Sequence, residues 1–173
     1  MLTNAERRAQ IQAALSEATE AISATTFAKR FGVSRQTVVG DIALMRAHGD
    51  QVIATPQGYQ YERTASGEQQ AVIVCRHTPA QTEDEMSLIV ATGAALLDVA
   101  VDHPVYGELR GQLQIRTQTD ITLFMAHLRQ HPAKLLSELT GGVHLHTIAY
   151  STPAQLTAVK TALRNAGYLY EEG

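Results

Sequence analysis

The sequence sets two histidines one residue apart, His144 and His146, inside the run Val143-His144-Leu145-His146-Thr147-Ile148. A run of this kind predicts a strand, and alternate side chains of a strand share a face, with a rise of about 6.5–7 Å between them. Two imidazoles so placed can converge on one cation, at about 2.0–2.1 Å per bond in the case of zinc. Spacing alone leaves the remaining donors open. His77 follows the apolar stretch Ala71-Val72-Ile73-Val74-Cys75, Glu85 comes eight residues later, and His103, Glu83 and Asp84 are further candidates. Plainer roles compete for each position. The His-x-His pair suits the polar face of a half-exposed strand, and Glu85 stands at capping-box distance from Thr82. His103 precedes a proline and suits a turn, while Cys75 suits a core. His48, His127 and His131 fall near predicted helix ends, where they complement the C-terminal dipole.

The elements that must position these residues are readable from periodicity. Residues 71–75 predict a buried strand delivering Arg76 and His77. From Thr82, the spacing of Met86, Ile89, Val90, Gly93, Ala94 and Leu97 predicts one long amphipathic helix. Val99 and Val101, then Leu113 and Ile115, suggest strands around an irregular bend at His103-Pro104-Val105-Tyr106-Gly107. Ile121, Phe124, Met125 and Leu128 form another helix face. Pro132 opens a short helix carrying Leu135, Leu136 and Leu139, which Gly141-Gly142 ends. Thr152 as cap, Pro153 at the first position and Gly167 afterwards bracket a final helix. Tyr168-Leu169-Tyr170 predicts a closing strand. Strands and helices that do not strictly alternate point to an α+β sandwich.

The first third of the chain carries a different pattern. Residues 4–18 predict an amphipathic helix through Ile11, Ala14, Leu15 and Ala18. A short helix ending at Gly32 is followed at once by Ser34, a good N-cap, and by a second helix whose stripe is Val38, Ile42 and Met45. Two helices joined by such a turn are the helix-turn-helix signature. Arg35, Gln36, Thr37, Gly40 and Asp41 fall off that stripe. Arg35 and Gln36 suit base edges in the major groove, while Arg46 and the backbone after Ser34 suit phosphates. Residues 52–55 and 59–61, flanking Pro56-Gln57-Gly58, predict the two strands of a wing. Domain limits follow: a winged helix-turn-helix over 1–62, a polar linker over 63–70, and an α+β domain over 71–173.

Composition sets the setting. Of 173 residues, 45% are hydrophobic and 18% charged, which is the balance of a folded chain and not a disordered one. The net charge is −3, divided as +1 over 1–63 and −4 over 64–173. DNA binding must therefore rest on a few well-placed side chains, doubled by dimerisation. One cysteine excludes an internal disulfide. With no apolar run long enough for a bilayer and no signal-peptide core, a cytoplasmic location and no membrane partner are expected.

Several longer strings carry a family resemblance. Arg76-His77, the run Asp102-His103-Pro104-Val105-Tyr106-Gly107-Glu108 and the run Gly141–Ile148 resemble the 3H domain, named for its histidines. Preceded by Val33-Ser34-Arg35-Gln36 and by Ile53-Ala54-Thr55-Pro56-Gln57-Gly58-Tyr59, they make nearly the whole chain similar to the niacin-responsive transcriptional repressors. The resemblance implies a divalent transition metal (Zn, Ni, Fe or Mn) held by His77, Glu85, His144 and His146. It implies a homodimer on double-stranded operator DNA, with nicotinic acid or a related pyridine carboxylate as co-repressor of niacin-uptake or NAD-synthesis genes. Contacts to DNA are then expected from Ser34, Arg35, Gln36, Thr37, Arg46 and Gln57. The chain departs from the family pattern at Gln57, where a basic residue is common, and at Gly40, which replaces a larger polar residue. His103, Tyr106 and Arg110 on the bend are candidates for the effector site, Arg110 as a bidentate carboxylate partner. Two rival functions fit a three-histidine, one-glutamate site: a metal-dependent hydrolase, and a regulator answering to metal alone.

Overall fold

In the computed structural model, residues 1–62, 67–131 and 134–171 are described. The chain divides into two units, Met1–Thr64 and Ala65–Gly173. The N-terminal unit opens with helix α1, Asn4–Glu17, whose start is fixed by a reciprocal cap between Thr3 and Glu6. Helices α2, Ala24–Phe31, and α3, Arg35–Ala47, follow, joined by a turn at Gly32. Ser23 and Ser34 cap them by accepting the backbone N–H of Thr26 and Thr37. Ile11, Leu15, Phe27, Val38 and Ile42 meet in the core of this unit. Strands β1, Val52–Thr55, and β2, Gly58–Tyr61, then form an antiparallel hairpin. The unit is a winged helix-turn-helix.

One residue of α3 departs from expectation. Asp41 is 4% exposed and is held by Arg7 of α1, so it packs inward and is not part of a reading face. Its position three after Val38 and four before Met45 puts it on the buried stripe.

Among the described residues, the second unit is one four-stranded antiparallel sheet with three α-helices. Its strands are β3, Gln69–Arg76, β4, Ala95–His103, β5, Gly107–Ile115, and β6, Val143–Tyr150, in the order β3-β6-β4-β5. Helices α4, Thr82–Ala91, α5, Gln118–Gln130, and α6, Pro153–Asn165, share one core with a single sheet face. Ile73 and Cys75 of β3, Leu96 of β4, Ile115 of β5 and Ile148 of β6 supply that face, against Met86, Ile89, Ile121, Val159 and Leu163 from the helices. This two-layer arrangement is the α+β sandwich expected.

Five boundaries differ from the periodicity reading. Helix α4 stops at Ala91 and does not reach Leu97, because Gly93 adopts φ +88° and the chain turns into β4. β4 lies between β6 and β5 and is buried along most of its length, so apolar residues at successive positions imitate helical spacing. The bend after His103 is a hairpin turn, with His103 paired to Gly107 across it. The segment Leu136–Thr140 is a 3-10 helix ended by Gly141; Pro132 lies outside the described residues. Tyr168–Tyr170 forms only an isolated bridge beside β3, with Arg76 donating to the Tyr168 carbonyl and Tyr170 donating to that of Val74. Of the expected linker, residues 63–66 lie outside the described residues, while Gln69 and Gln70 already belong to β3.

Candidate metal centre

The antiparallel register of β3 and β6 builds the site. Cys75 pairs with His144 and Ile73 with His146, so the histidines face the helix layer beside Cys75. His77 follows β3 directly, and Glu85 projects from the first turn of α4. All are buried: Glu85 is 1% exposed, His144 and His146 are 2%, and His77 is 8%. The capping role open to Glu85 is not taken, since Thr82 makes no cap and its hydroxyl is buried without a partner.

Glu85 is the hub. His77 Nε2 and His144 Nε2 lie 2.7 and 3.0 Å from its Oε2, and His146 Nε2 lies 2.9 Å from its Oε1. The rings of His77 and His144, and of His144 and His146, meet edge to face at 4.7 and 4.6 Å. Each Nδ1 faces a backbone carbonyl: that of Thr78 for His77, of Gly142 for His144 and of Asp98 for His146, at 2.7–2.8 Å. A carbonyl can only accept, so Nδ1 carries the proton in each ring. In a neutral imidazole that leaves a lone pair on Nε2, and all three lone pairs are directed toward a carboxylate that also only accepts. Such a constellation is held together by protons or by a cation. A backbone carbonyl that fixes Nδ1–H and leaves Nε2 free is how metal-ligating histidines are oriented.

The electrostatics agree with that description. Burial works against ionisation of Glu85, but the charge of His146 and hydrogen bonds from the three histidines outweigh it, holding the carboxyl well below its ordinary range. For His77, burial favours the neutral ring. Glu85, by hydrogen bond and charge, and the Thr78 carbonyl overcome that and raise its pKa. His77 Nε2 is the least well aligned of the three with Glu85, though only 2.7 Å from Oε2. Three nitrogens and a carboxylate fit a borderline divalent ion and not magnesium or calcium.

Gly142 makes the approach of β6 to His77 possible. It adopts φ +98°, and a Cβ there would sit 2.6 Å from the His77 carbonyl oxygen. Two spaces adjoin the cluster. An inner cavity of about 30 Å³ is walled by the cluster together with Met86, Val99, Leu113, Phe124 and Leu136. A wider cleft of about 350 Å³ is lined by His77, Thr78, Lys134, Ser137 and the Gly141-Gly142 turn. His77 and Ser137 border both.

Other candidates lie elsewhere. Asp84 accepts from the Tyr168 hydroxyl at 2.7 Å, and Glu83 is exposed. His103 stacks on Tyr106 at the tip of the β4–β5 hairpin, where Tyr106 is 74% exposed. Arg110 binds Asp98, Glu108 and the Thr147 hydroxyl, and Thr147 points to the sheet face opposite His146. None of the three borders the cavity or the cleft. Sequence reasoning missed Asp98, whose carbonyl anchors His146 while its carboxylate accepts from Thr147 and Arg110. An acid inside the apolar run Leu96-Leu97-Asp98-Val99 was the available signal. Thr82, Lys134 and Ser137 gave none.

In the N-terminal unit, Arg35, Gln36 and Arg46 are exposed along α3. Ser34 and Thr37 are engaged with each other, hydroxyl to hydroxyl at 2.8 Å. Gln57 folds onto its own turn: its carbonyl accepts from Thr55 and its amide nitrogen is buried without a partner, so it is not displayed at the tip of the wing. No helix among the described residues is long and apolar enough to cross a membrane.

A reading head of this form joined to a three-histidine α+β domain defines a two-part regulator. The model of the HTH domain matches residues 7–60 and that of the 3H domain matches residues 70–172. The chain belongs to the niacin-responsive family of DNA-binding transcription repressors, in which these two domains are joined. It is 38% identical over 174 residues to the transcription repressor NadR of Bacillus subtilis, across 99% of this chain and 97% of that protein. It is 35% identical over 168 residues to the probable transcription repressor NiaR of Thermotoga maritima, across 97% of this chain and 95% of that protein.

Proposed function

We propose that this chain is a repressor, not an enzyme, that binds operator DNA of niacin-uptake or NAD-synthesis genes as a homodimer, with nicotinic acid as co-repressor beside a divalent transition metal. His77, Glu85, His144 and His146 hold the metal in this reading. The observation that carries it is the buried carboxylate faced by three Nε2 atoms whose Nδ1 protons are committed to backbone carbonyls. Bound there, the metal supplies positive charge and an attachment point for a pyridine nitrogen or carboxylate. The cleft bordered by His77, Lys134 and Ser137 takes the effector. It replaces the hairpin residues His103, Tyr106 and Arg110 in that role.

Regulation requires the effector to bind the DNA-competent dimer better than the alternative. A hundredfold gain in operator affinity corresponds to about 2.7 kcal/mol of coupling. Recognition helices about 34 Å apart match successive major-groove turns, with Arg35 and Gln36 at base edges and Arg46 at phosphate. A mobility-shift titration of operator DNA with and without nicotinic acid, metal present, tests the claim; equal affinities would end the co-repressor reading.

One observation favours a second reading, regulation by the metal alone. The inner cavity of about 30 Å³ admits a water-sized molecule and no aromatic ring. Operator binding that follows metal concentration and ignores nicotinic acid would select this alternative.

A further inference from the structure

We propose that Cys75 is a fifth protein donor to this centre, binding the ion through its sulfur from the floor of the site. The proposal rests on the metal reading above and adds a ligand of a different chemical kind. Its first support is the register: Cys75 pairs directly with His144, and both side chains face the helix layer. Cys75 near the end of β3 and His77 just beyond it stand two residues apart, as His144 and His146 do on β6, so the two segments present matching pairs of donors. The second is distance. Cys75 Sγ, a Glu85 carboxylate oxygen and a His144 ring nitrogen all lie within 4.8 Å of one another, and all three residues are buried.

A buried cysteine packed among aliphatic residues would need no further account. This one is 0% exposed, yet it borders an ionised carboxylate, beside which the Thr82 hydroxyl is buried without a hydrogen-bond partner. That hydroxyl and the cluster together line the inner cavity, so protein groups do not fill the space beside Glu85. A free thiol carries its proton until a cation arrives. Binding then breaks the S–H bond, forms a sulfur–metal bond and releases the proton to solvent, as expected for thiol ligands. A sulfur donor among nitrogens shifts preference toward zinc, cobalt or nickel and away from manganese.

The test uses the full chain, freed of metal and kept reduced, and titrated with cobalt(II) alone. Visible d–d bands report that the ion is bound, and a near-ultraviolet sulfur-to-cobalt charge-transfer band reports the thiolate. Both are expected at one equivalent. Cys75→Ser should retain the visible bands, lose the near-ultraviolet band and bind cobalt about tenfold more weakly. Should that variant fail to fold, X-ray absorption of the zinc-loaded wild-type chain decides, with one sulfur expected at about 2.3 Å. Visible bands without the charge-transfer band, or a shell of nitrogen and oxygen only, would overturn the role of Cys75 and leave the other ligands standing. No bound cobalt at all would overturn both this proposal and the metal reading on which it rests.

Discussion

Arg7 of α1 and Asp41 of α3 form a buried pair that ties the first helix to the recognition helix. Arg7 Nη2 donates to Asp41 Oδ1 at 3.2 Å while its Nε donates to the other oxygen, giving a two-pronged contact. Hydrogen bonding with Asp41 raises the Arg7 pKa, with burial opposing. The pair fixes how α3 is carried beneath Arg35 and Gln36. Asp41→Ala leaves the guanidinium without its partner, so it should destabilise the N-terminal unit by about 2 kcal/mol in urea unfolding. Operator binding should weaken with it, while metal binding by the other unit stays unchanged. Loss of stability without any loss of DNA affinity would separate Asp41 from the placement of α3.

Glycines at two positions should respond in opposite directions. Gly142→Ala places a methyl against the His77 carbonyl and demands φ +98° from an alanine. A cost of about 2 kcal/mol is expected, with weakened metal binding because His77 is displaced. Gly40 has open space around its Cβ position and sits inside α3. Gly40→Ala should therefore stabilise the chain by about 1 kcal/mol. Thermal melting of both variants checks the pair.

Removing the hub should disable the cluster as a whole. Glu85→Gln keeps the shape but replaces a charged acceptor by an amide facing three histidines. Calorimetric zinc affinity should fall by at least about 100-fold, a loss on the scale seen when the surroundings of a metal site are broken. An unchanged affinity would move the ion, and with it the effector, to some other place.

Acidity should distinguish the metal-free chain from the loaded one. The His77 pKa lies above its ordinary 6.5 in the folded chain, so its contribution is complete below 6.5 and is lost as pH rises through the folded value. That of Glu85 lies below its ordinary 4.5, so its contribution is present above 4.5 and is lost as pH falls through the folded value. The chelator-treated chain should be steadiest between these limits and should melt earlier at about pH 8.5 than at about pH 6. With zinc bound, the ion takes over the role of the proton, and that alkaline loss should vanish. A chelator-treated chain whose melting temperature does not fall on the alkaline side would contradict the assignment.

Local signals carried much of the fold. Ser34 after Gly32, and Pro153 after Thr152, mark helix boundaries through chemistry confined to a few residues, and both are found where the sequence puts them. β4 was misread because a strand flanked by β6 and β5 and buried along most of its length has no polar alternation to betray it. Asp41 was misplaced although its spacing from Val38 and Met45 put it on the inner stripe; its charge argued for solvent, and only Arg7 resolves the conflict. At the cluster, the pairing of His144 with His146 was visible in two letters. The choice of Glu85 over Glu83 and Asp84, and of His77 over His103, depends on which strand lies beside which. That is a property of β3 against β6, absent from either segment alone.

The donors around Glu85 come from three stretches of chain that are far apart in sequence: the end of β3, the start of α4 and the whole of β6. No short fragment holds the set. Closing so long a loop costs entropy before any contact across it is gained. The cluster is therefore complete only when β6 lies between β3 and β4. A chain cut before Val143 keeps His77 and Glu85 and loses the other two imidazoles, so no piece of it carries the full set of four.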